Sequence, residues 1–177
     1  MIKMKLRTVD MVFIALCVAL IAVFSQISFP ILPGGVPLTL QTLAVTFCGY
    51  FLGLKSLLAV AVYILLGFVG VPVFAGFQGG AGVIAGPTGG FLWGFLLTAF
   101  CCGLGTRKKI WAGVLLGAVG ILLCHALGVL QYRLISGRNW GDAFMLVSAP
   151  YLLKDFVSAA IALWCANLLR KRGVSAE

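Results

Sequence analysis

Acidic residues are nearly missing from this chain, with 4 Asp and Glu against 13 Lys and Arg in 177 residues. Histidine occurs once, as His125. So small a stock of proton-transfer groups argues against enzymatic catalysis. No Ser-His-Asp, Cys-His or paired-carboxylate set can be read from the spacing, so no catalytic residue is assigned. Charge of both signs makes up only 10% of the residues, where a soluble domain carries roughly 25%. The missing charge points to lipid as the solvent.

The six cysteines include no Cys-x-x-Cys pair, and all lie inside apolar runs. With a single histidine beside them they give a metal site little support, and they read as buried, reduced, small hydrophobes. The segment Gly49–Ser56 (GYFLGLKS) glances at a phosphate-binding loop, but no G-x-x-x-x-G-K-[ST] occurs, so the chain does not hydrolyse ATP by that route.

What the chain does have is apolar residues, 62% of the total, and a mean hydropathy of +1.15. About 20 apolar residues span a bilayer core. Six runs qualify or nearly so: residues 9–28, 38–54, 56–71, 87–105, 110–131 and 144–169. The second and third are short, divide only at Lys55, and are the weakest part of the count. The first follows Lys3, Lys5 and Arg7, but it is too long for a signal-peptide core and ends in no small-x-small cleavage site.

The net charge of +9 does not imply nucleic acid, because there is no basic amphipathic face or aromatic-basic repeat. The basic residues instead cluster between runs. With the N-terminus inside, the inner segments carry Lys3, Lys5, Arg7, Lys55, Arg107, Lys108, Lys109, Arg170, Lys171 and Arg172. The outer segments carry only Arg133 and Arg138. Merging the second and third runs would put 107–109 outside, against the positive-inside rule. The expectation is an all-α integral membrane protein: one domain over residues 1–177, a bundle of six transmembrane helices, both termini cytoplasmic, multi-pass in the plasma membrane of a bacterial cell.

The two outer loops at 29–37 and 72–85 hold no charge and are rich in Gly, Pro and Phe. Such backbone at membrane depth lines a cavity or packs against protein; the other reading places it in the headgroup layer. Asp155, well inside the last run, is a functional-site candidate because an ionisable group there is costly. Its neighbour Lys154 points about 100° away on a helix, so the two are not expected to pair. Lys154 meets a ligand carboxylate or snorkels to the headgroups. Thr39, Gln41, Thr42 and Thr46 set polar groups at the outer end of the second run, where they bond across helices or face a ligand. Gly86, Pro87, Thr88, Gly89 and Gly90 open the fourth run as a helix start whose N–H groups suit an anion. Gly86, Gly90 and Gly94 also suit close helix packing. Ala15, Ala19 and Ala22 form a small-residue face on the first run. His125, alone in mid-span, reads first as a helix–helix hydrogen-bonding residue.

The stretches VPLTLQTLAV (36–45), GVPVFAGF (70–77), GGAGV (79–83) and GPTGGF (86–91) resemble the BioY family, the biotin-binding substrate (S) components of energy-coupling-factor (ECF) transporters. The likeness is dense from Val36 to Phe95 and returns at Pro150–Asp155. It implies a six-helix bundle with the ligand site near the outer surface, biotin as ligand and no cofactor. It implies a transmembrane coupling subunit and two ATPase subunits as partners, ATP being used only by the latter. It implies that Ala15 and Ala19 contact the coupling subunit. The family pattern P-F-x-P-G-D-x-x-K is kept at Asp155 but holds Lys154 at the glycine and Ser158 at the lysine. Biotin asks for apolar walls, from Phe74, Phe77, Tyr151 and Trp93. It asks for an acceptor of ureido N–H, from Asp155, and a donor to the ureido oxygen, from Gln41, Gln78 or Thr88, with Thr39 also facing the ligand. Its carboxylate would meet Lys154 or the helix start at Pro87–Gly90. Two other readings are a stand-alone biotin facilitator or secondary transporter, and an S component for another vitamin.

Overall fold

The computed structural model describes residues 6–29, 36–106 and 108–174. Lys3, Lys5, Arg107 and most of the first charge-free loop, with Pro30, Pro33, Gly34 and Gly35, lie outside the described residues. The chain is mostly helical: α1 (Thr8–Gln26), α2 (Gln41–Leu52), α3 (Ser56–Phe68), α4 (Ala81–Ala85), α5 (Gly89–Gly105), α6 (Ile110–Ser136), α7 (Trp140–Val147) and α8 (Ala149–Lys171). The pair β1 (Ser28–Phe29) and β2 (Leu38–Thr39) closes the first loop as an antiparallel ladder.

Four helical stretches are long and apolar enough to cross a membrane: Thr8–Gln26, Gln41–Phe68, Ile110–Ser136 and Ala149–Lys171. The protein is a multi-pass membrane protein. Its polarity is inverted accordingly. Trp111, Leu115 and Leu122 of α6 and Leu153, Ile161 and Trp164 of α8 face outward, while Thr46, Ser56, Thr98, His125 and Asp155 are buried. A helix apolar all round is at home in lipid.

The stretch Gln41–Phe68 is not one straight helix. A 3-10 turn at Gly53–Lys55 interrupts it, and Gly53 adopts φ 61°, a left-handed conformation that favours glycine. Gln41 Nε2 donates to Tyr63 Oη at 2.6 Å, whereas a straight helix would part these residues by about 33 Å. Helices α2 and α3 therefore double back on one another.

Cross-links mark two ends. At one end, Lys55 Nζ lies 2.8 Å from Asp10 Oδ1. Tyr50 Oη donates to the Gly113 carbonyl at 2.8 Å, Thr106 Oγ1 to the Tyr50 carbonyl at 3.2 Å, and the Arg170 guanidinium to that same carbonyl. At the other end, Ser25 Oγ donates to the Val73 carbonyl at 2.6 Å, and Gln131 Nε2 to the Ile84 and Gly86 carbonyls, both at 2.8 Å.

Helices α5 and α6 approach most closely through glycine. A Cβ on Gly94 would lie 2.6 Å from Cys124 Cα, and Gly90 sits against the Leu127 carbonyl. Gly86 is not part of that contact, since its own Cβ would meet the Gly82 carbonyl.

Three element boundaries differ from the sequence expectation. The last run divides at Ser148, because Pro150 in the first turn of α8 lacks an N–H and its ring crowds the preceding turn. Helix α6 runs on to Ser136 and stops at Gly137 (φ 68°), whose N–H donates to the Arg133 carbonyl. The second outer loop contains α4. All six cysteines are free thiols, five of them buried.

Candidate functional site

A cavity of about 300 Å³ opens among the first turn of α2, the 73–78 loop, α4, α5, α6 and α8, at the end marked by Ser25 and Gln131. One wall is apolar, made by Phe74, Phe91, Leu92, Phe95, Ile121 and Val147. Facing it is a polar wall from β2, α2, α6 and α8.

The polar wall centres on Asp155, which is 5% exposed. His125 Nε2 lies 2.9 Å from Asp155 Oδ2, and His125 Nδ1 lies 3.0 Å from Ser148 Oγ. An ionised carboxylate only accepts hydrogen bonds, so Nε2 carries the proton of the His125–Asp155 contact. The Lys154 ammonium contacts Asp155 Oδ1 and donates to the Thr39 carbonyl at 2.7 Å. Ser148, His125, Asp155, Lys154 and Thr39 form one chain of polar contacts. Ser148 is fully buried and does not line the cavity, so its hydroxyl is not a nucleophile presented to a substrate.

Two further bonds stiffen the rim. Tyr151 Oη donates to the Val36 carbonyl, tying α8 to the segment before β2. Tyr63 Oη accepts from Gln41 and donates to the Val73 carbonyl at 3.0 Å. Gln41 Nε2 keeps a second hydrogen and its Oε1 keeps acceptor capacity. The loop at 74–78 is a tight hairpin, with Phe74 and Gln78 exchanging backbone bonds of 2.9 and 3.3 Å.

Asp155, Lys154, Tyr151, Thr39, Gln41, Phe74, Gln78 and Thr88 all line the cavity. Phe77 and Gly86 do not. Phe77 occupies the left-handed region (φ 57°) at the tip of the 74–78 hairpin, with its side chain 72% exposed and its N–H bonded to Gln26 Oε1 at 2.8 Å. Gly86 faces Gln131 through its carbonyl. At the helix start beside it, the Gly89 and Phe91 N–H groups are already bonded to the Gly86 and Thr88 carbonyls, both at 3.1 Å, so those two donors are not offered to an anion. Trp93 points away into an apolar groove with Phe68 and Ile84.

Lys154 and Asp155 do meet, contrary to the helical-wheel expectation. The 100° separation governs where Cβ points, and the four-carbon lysine stem is long enough to bring the ammonium back round. His125 makes the helix–helix bond expected of it, from α6 to α8, and also lines the cavity. The sequence reading missed Phe91 and Phe95. Their spacing from Thr88 by three and seven residues puts all three on one helix face, a signal that was available once Thr88 was named.

The BioY family model matches residues 1–174. A probable biotin transporter BioY of Pyrococcus horikoshii is 40% identical over 168 residues, covering 94% of this chain and 98% of the relative. The biotin transporter BioY of Thermotoga maritima is 42% identical over 86% of this chain and 90% of the relative. Among solved structures, the S-component for biotin from an ECF-type ABC transporter superposes with a TM-score of 0.84 at 22% identity. That match covers 92% of this chain and 90% of the solved one, and establishes the likeness of fold. On the family model and these relatives together, the chain belongs to the BioY family.

Proposed function

We propose that this protein is the biotin-capturing S component of an ECF-type uptake transporter, taking the vitamin from the outer face of the membrane. The observation that carries the reading is the cavity itself. It sets a buried carboxylate with oriented donors opposite an aromatic and aliphatic wall, in a chain of the BioY family. Its volume of about 300 Å³ falls at the lower end of the roughly 300–1,000 Å³ usual for small-molecule sites.

Biotin carries two ureido N–H groups, a ureido oxygen, an apolar sulfur ring and a chain ending in a carboxylate. Asp155 accepts a ureido N–H, and Gln41, Gln78 or Thr88 donates to the ureido oxygen. Phe74, Phe91 and Phe95 cover the apolar ring and chain. Lys154 is the cation of the cavity wall and the group placed to favour the carboxylate.

The path of the chain supports six crossings. Asp10 and Lys55 meet at one end, and Gln41 and Tyr63 meet toward the other. Helices α5, α6 and α8 then alternate between the ends marked by Tyr50 and by Gln131. The described basic residues Lys55, Lys108, Lys109 and Arg170 gather at the end opposite the cavity, which makes that end cytoplasmic under the positive-inside rule. Ala15 and Ala19 are exposed on α1 beside Val12, Leu16 and Val23, a low-relief strip suited to a helix of the coupling subunit. ATP hydrolysis belongs to the partner ATPase subunits.

Calorimetric titration of the detergent-purified protein with biotin, riboflavin and thiamine tests the reading. Biotin alone is expected to bind, and Asp155→Asn is expected to weaken it at least tenfold, since a hydrogen bond to a charged group contributes about 1.5–3 kcal/mol. A folded protein that ignores biotin would sink the proposal.

A further inference from the structure

The contacts of the one histidine go further than a strut between two helices. A carboxylate turns easily about its Cβ–Cγ bond, whose torsional wells are broad. Asp155 is held against such turning from both sides, by His125 Nε2 on Oδ2 and by the Lys154 ammonium on Oδ1. The imidazole is itself fixed. Ser148 Oγ lies 3.0 Å from Nδ1, and the Phe91 ring meets the imidazole edge-on, with centroids 5.7 Å apart and planes at 88°. His125 is 5% and Ser148 0% exposed, so both are held almost wholly within the protein. The two oxygens of a carboxylate offer about four lone-pair sites. His125 takes one of them on Oδ2, and Oδ1 has the Lys154 ammonium as an ion-pair contact and no hydrogen bond among the described residues.

We infer that His125 is a positioning residue for ligand capture: with its tautomer set by Ser148, its Nε2–H fixes the Asp155 carboxylate in the orientation that receives a ligand N–H. The inference rests on the biotin-binding reading and assigns the orienting task to two residues outside the apolar and acidic features that first mark the site. Ser148 acts only through the imidazole. A hydroxyl donating to Nδ1 keeps the remaining proton on Nε2, where Asp155 needs it. A histidine that merely braced α6 against α8 would affect stability whatever donor replaced it, and would be indifferent to which nitrogen held the proton.

The test is biotin titration of the full chain in nanodiscs, with the unfolding midpoint of each ligand-free variant measured alongside. His125→Phe keeps the ring against Phe91 and deletes the donor; a roughly 10- to 100-fold loss of affinity is expected, the range for a hydrogen bond to a charged group. His125→Gln carries an amide N–H near the place of Nε2 and is expected to recover most of that loss. Ser148→Ala is expected to weaken binding in the wild-type background and to add nothing in the His125→Gln background, which has no Nδ1 to hold. Wild-type affinity in His125→Phe would overturn the inference, and so would equal losses in His125→Phe and His125→Gln. If His125→Phe does not fold, the His125→Gln and Ser148→Ala cycle decides alone, and additive losses there overturn the inference. Failure of the unaltered protein to bind biotin is a separate result that removes the functional reading itself.

Discussion

Lys154 holds two acceptors at once, the Asp155 carboxylate and the Thr39 carbonyl, and so links α8 to the strand that closes the first loop. Replacing it with methionine keeps much of the stem's volume and removes every donor. Asp155 then loses one of its two restraints, and the Thr39 carbonyl loses its partner beside the cavity. Lys154→Met is expected to weaken biotin binding by roughly tenfold or more, on the scale of one charge-assisted hydrogen bond. Equilibrium titration against the wild type checks this, and unchanged affinity would show that the ammonium serves neither the ligand nor the orientation of Asp155. Asp155 and Lys154 were legible in the sequence because an ionisable group inside an apolar run has to be bonded or used. Thr39, Gln41 and Thr88 were legible as polar residues at helix starts beside charge-free loops. His125 was only half legible. The same spacing describes a histidine that braces two helices and one that also faces a ligand, and only the position of Asp155 across the helix contact tells them apart. Phe77 misled for the converse reason. It was named because biotin asks for apolar walls, but it sits at the left-handed tip of the 74–78 hairpin with its side chain exposed and is not among the residues that line the cavity.

Two glycines set the aromatic wall at the level of helix packing. A Cβ on Gly128 of α6 would overlap the Phe91 ring, and one on Gly67 of α3 would overlap the Phe74 ring. Both rings line the cavity, so the helices lend their missing side-chain volume to the site. Gly128→Ala has two ways to relieve the overlap, by spreading α5 from α6 or by pushing Phe91 toward His125 and the cavity. Overpacking of this kind costs about 1–3 kcal/mol. The expected result is a lowered unfolding midpoint together with weakened biotin binding. Gly141→Ala is the control. Gly141 lies in α7, where a Cβ would meet only Asn139 Oδ1 at 3.5 Å, and alanine there is expected to leave affinity unchanged and to favour the helix by up to about 1 kcal/mol. A Gly128→Ala protein equal to wild type in both measurements would mean that Phe91 is not seated as described. Hydrophobic runs located the long helices, since a chain without charge over some 20 residues has few alternatives in lipid. Runs do not locate breaks made by backbone geometry. The division at Ser148 follows from Pro150, a residue visible in the sequence and outweighed there by the apolar residues on either side.

At the scale of the whole molecule, most of the described basic residues gather at the end opposite the cavity, and the proposed direction of capture rests on that separation. Asp10 and Lys55 are paired at 2.8 Å, and Lys108, Lys109 and Arg170 lie at the same end. Arg133 and Arg138 lie toward the cavity end, where Arg133 stacks 4.4 Å over the Trp140 ring. The clustering was legible as a pattern of charge along the chain. Its meaning in space needed the reversal at Gly53, which decides whether Lys108 and Lys109 fall on the same side as the N-terminal end of α1. The prediction is one of topology. In a cysteine-free background that still binds biotin, Arg138→Cys is expected to react with a membrane-impermeant maleimide in intact cells. Lys109→Cys is expected to react only after permeabilisation. The opposite pattern would turn the cavity toward the cytoplasm and convert an uptake subunit into one facing the wrong pool of ligand. Labelling of both positions in intact cells would contradict a crossing by α6, the one long helix between residues 109 and 138. The expected pattern leaves the cavity open to the outside and the basic end on the cytoplasmic side, which is the arrangement that the proposed capture of biotin from outside requires.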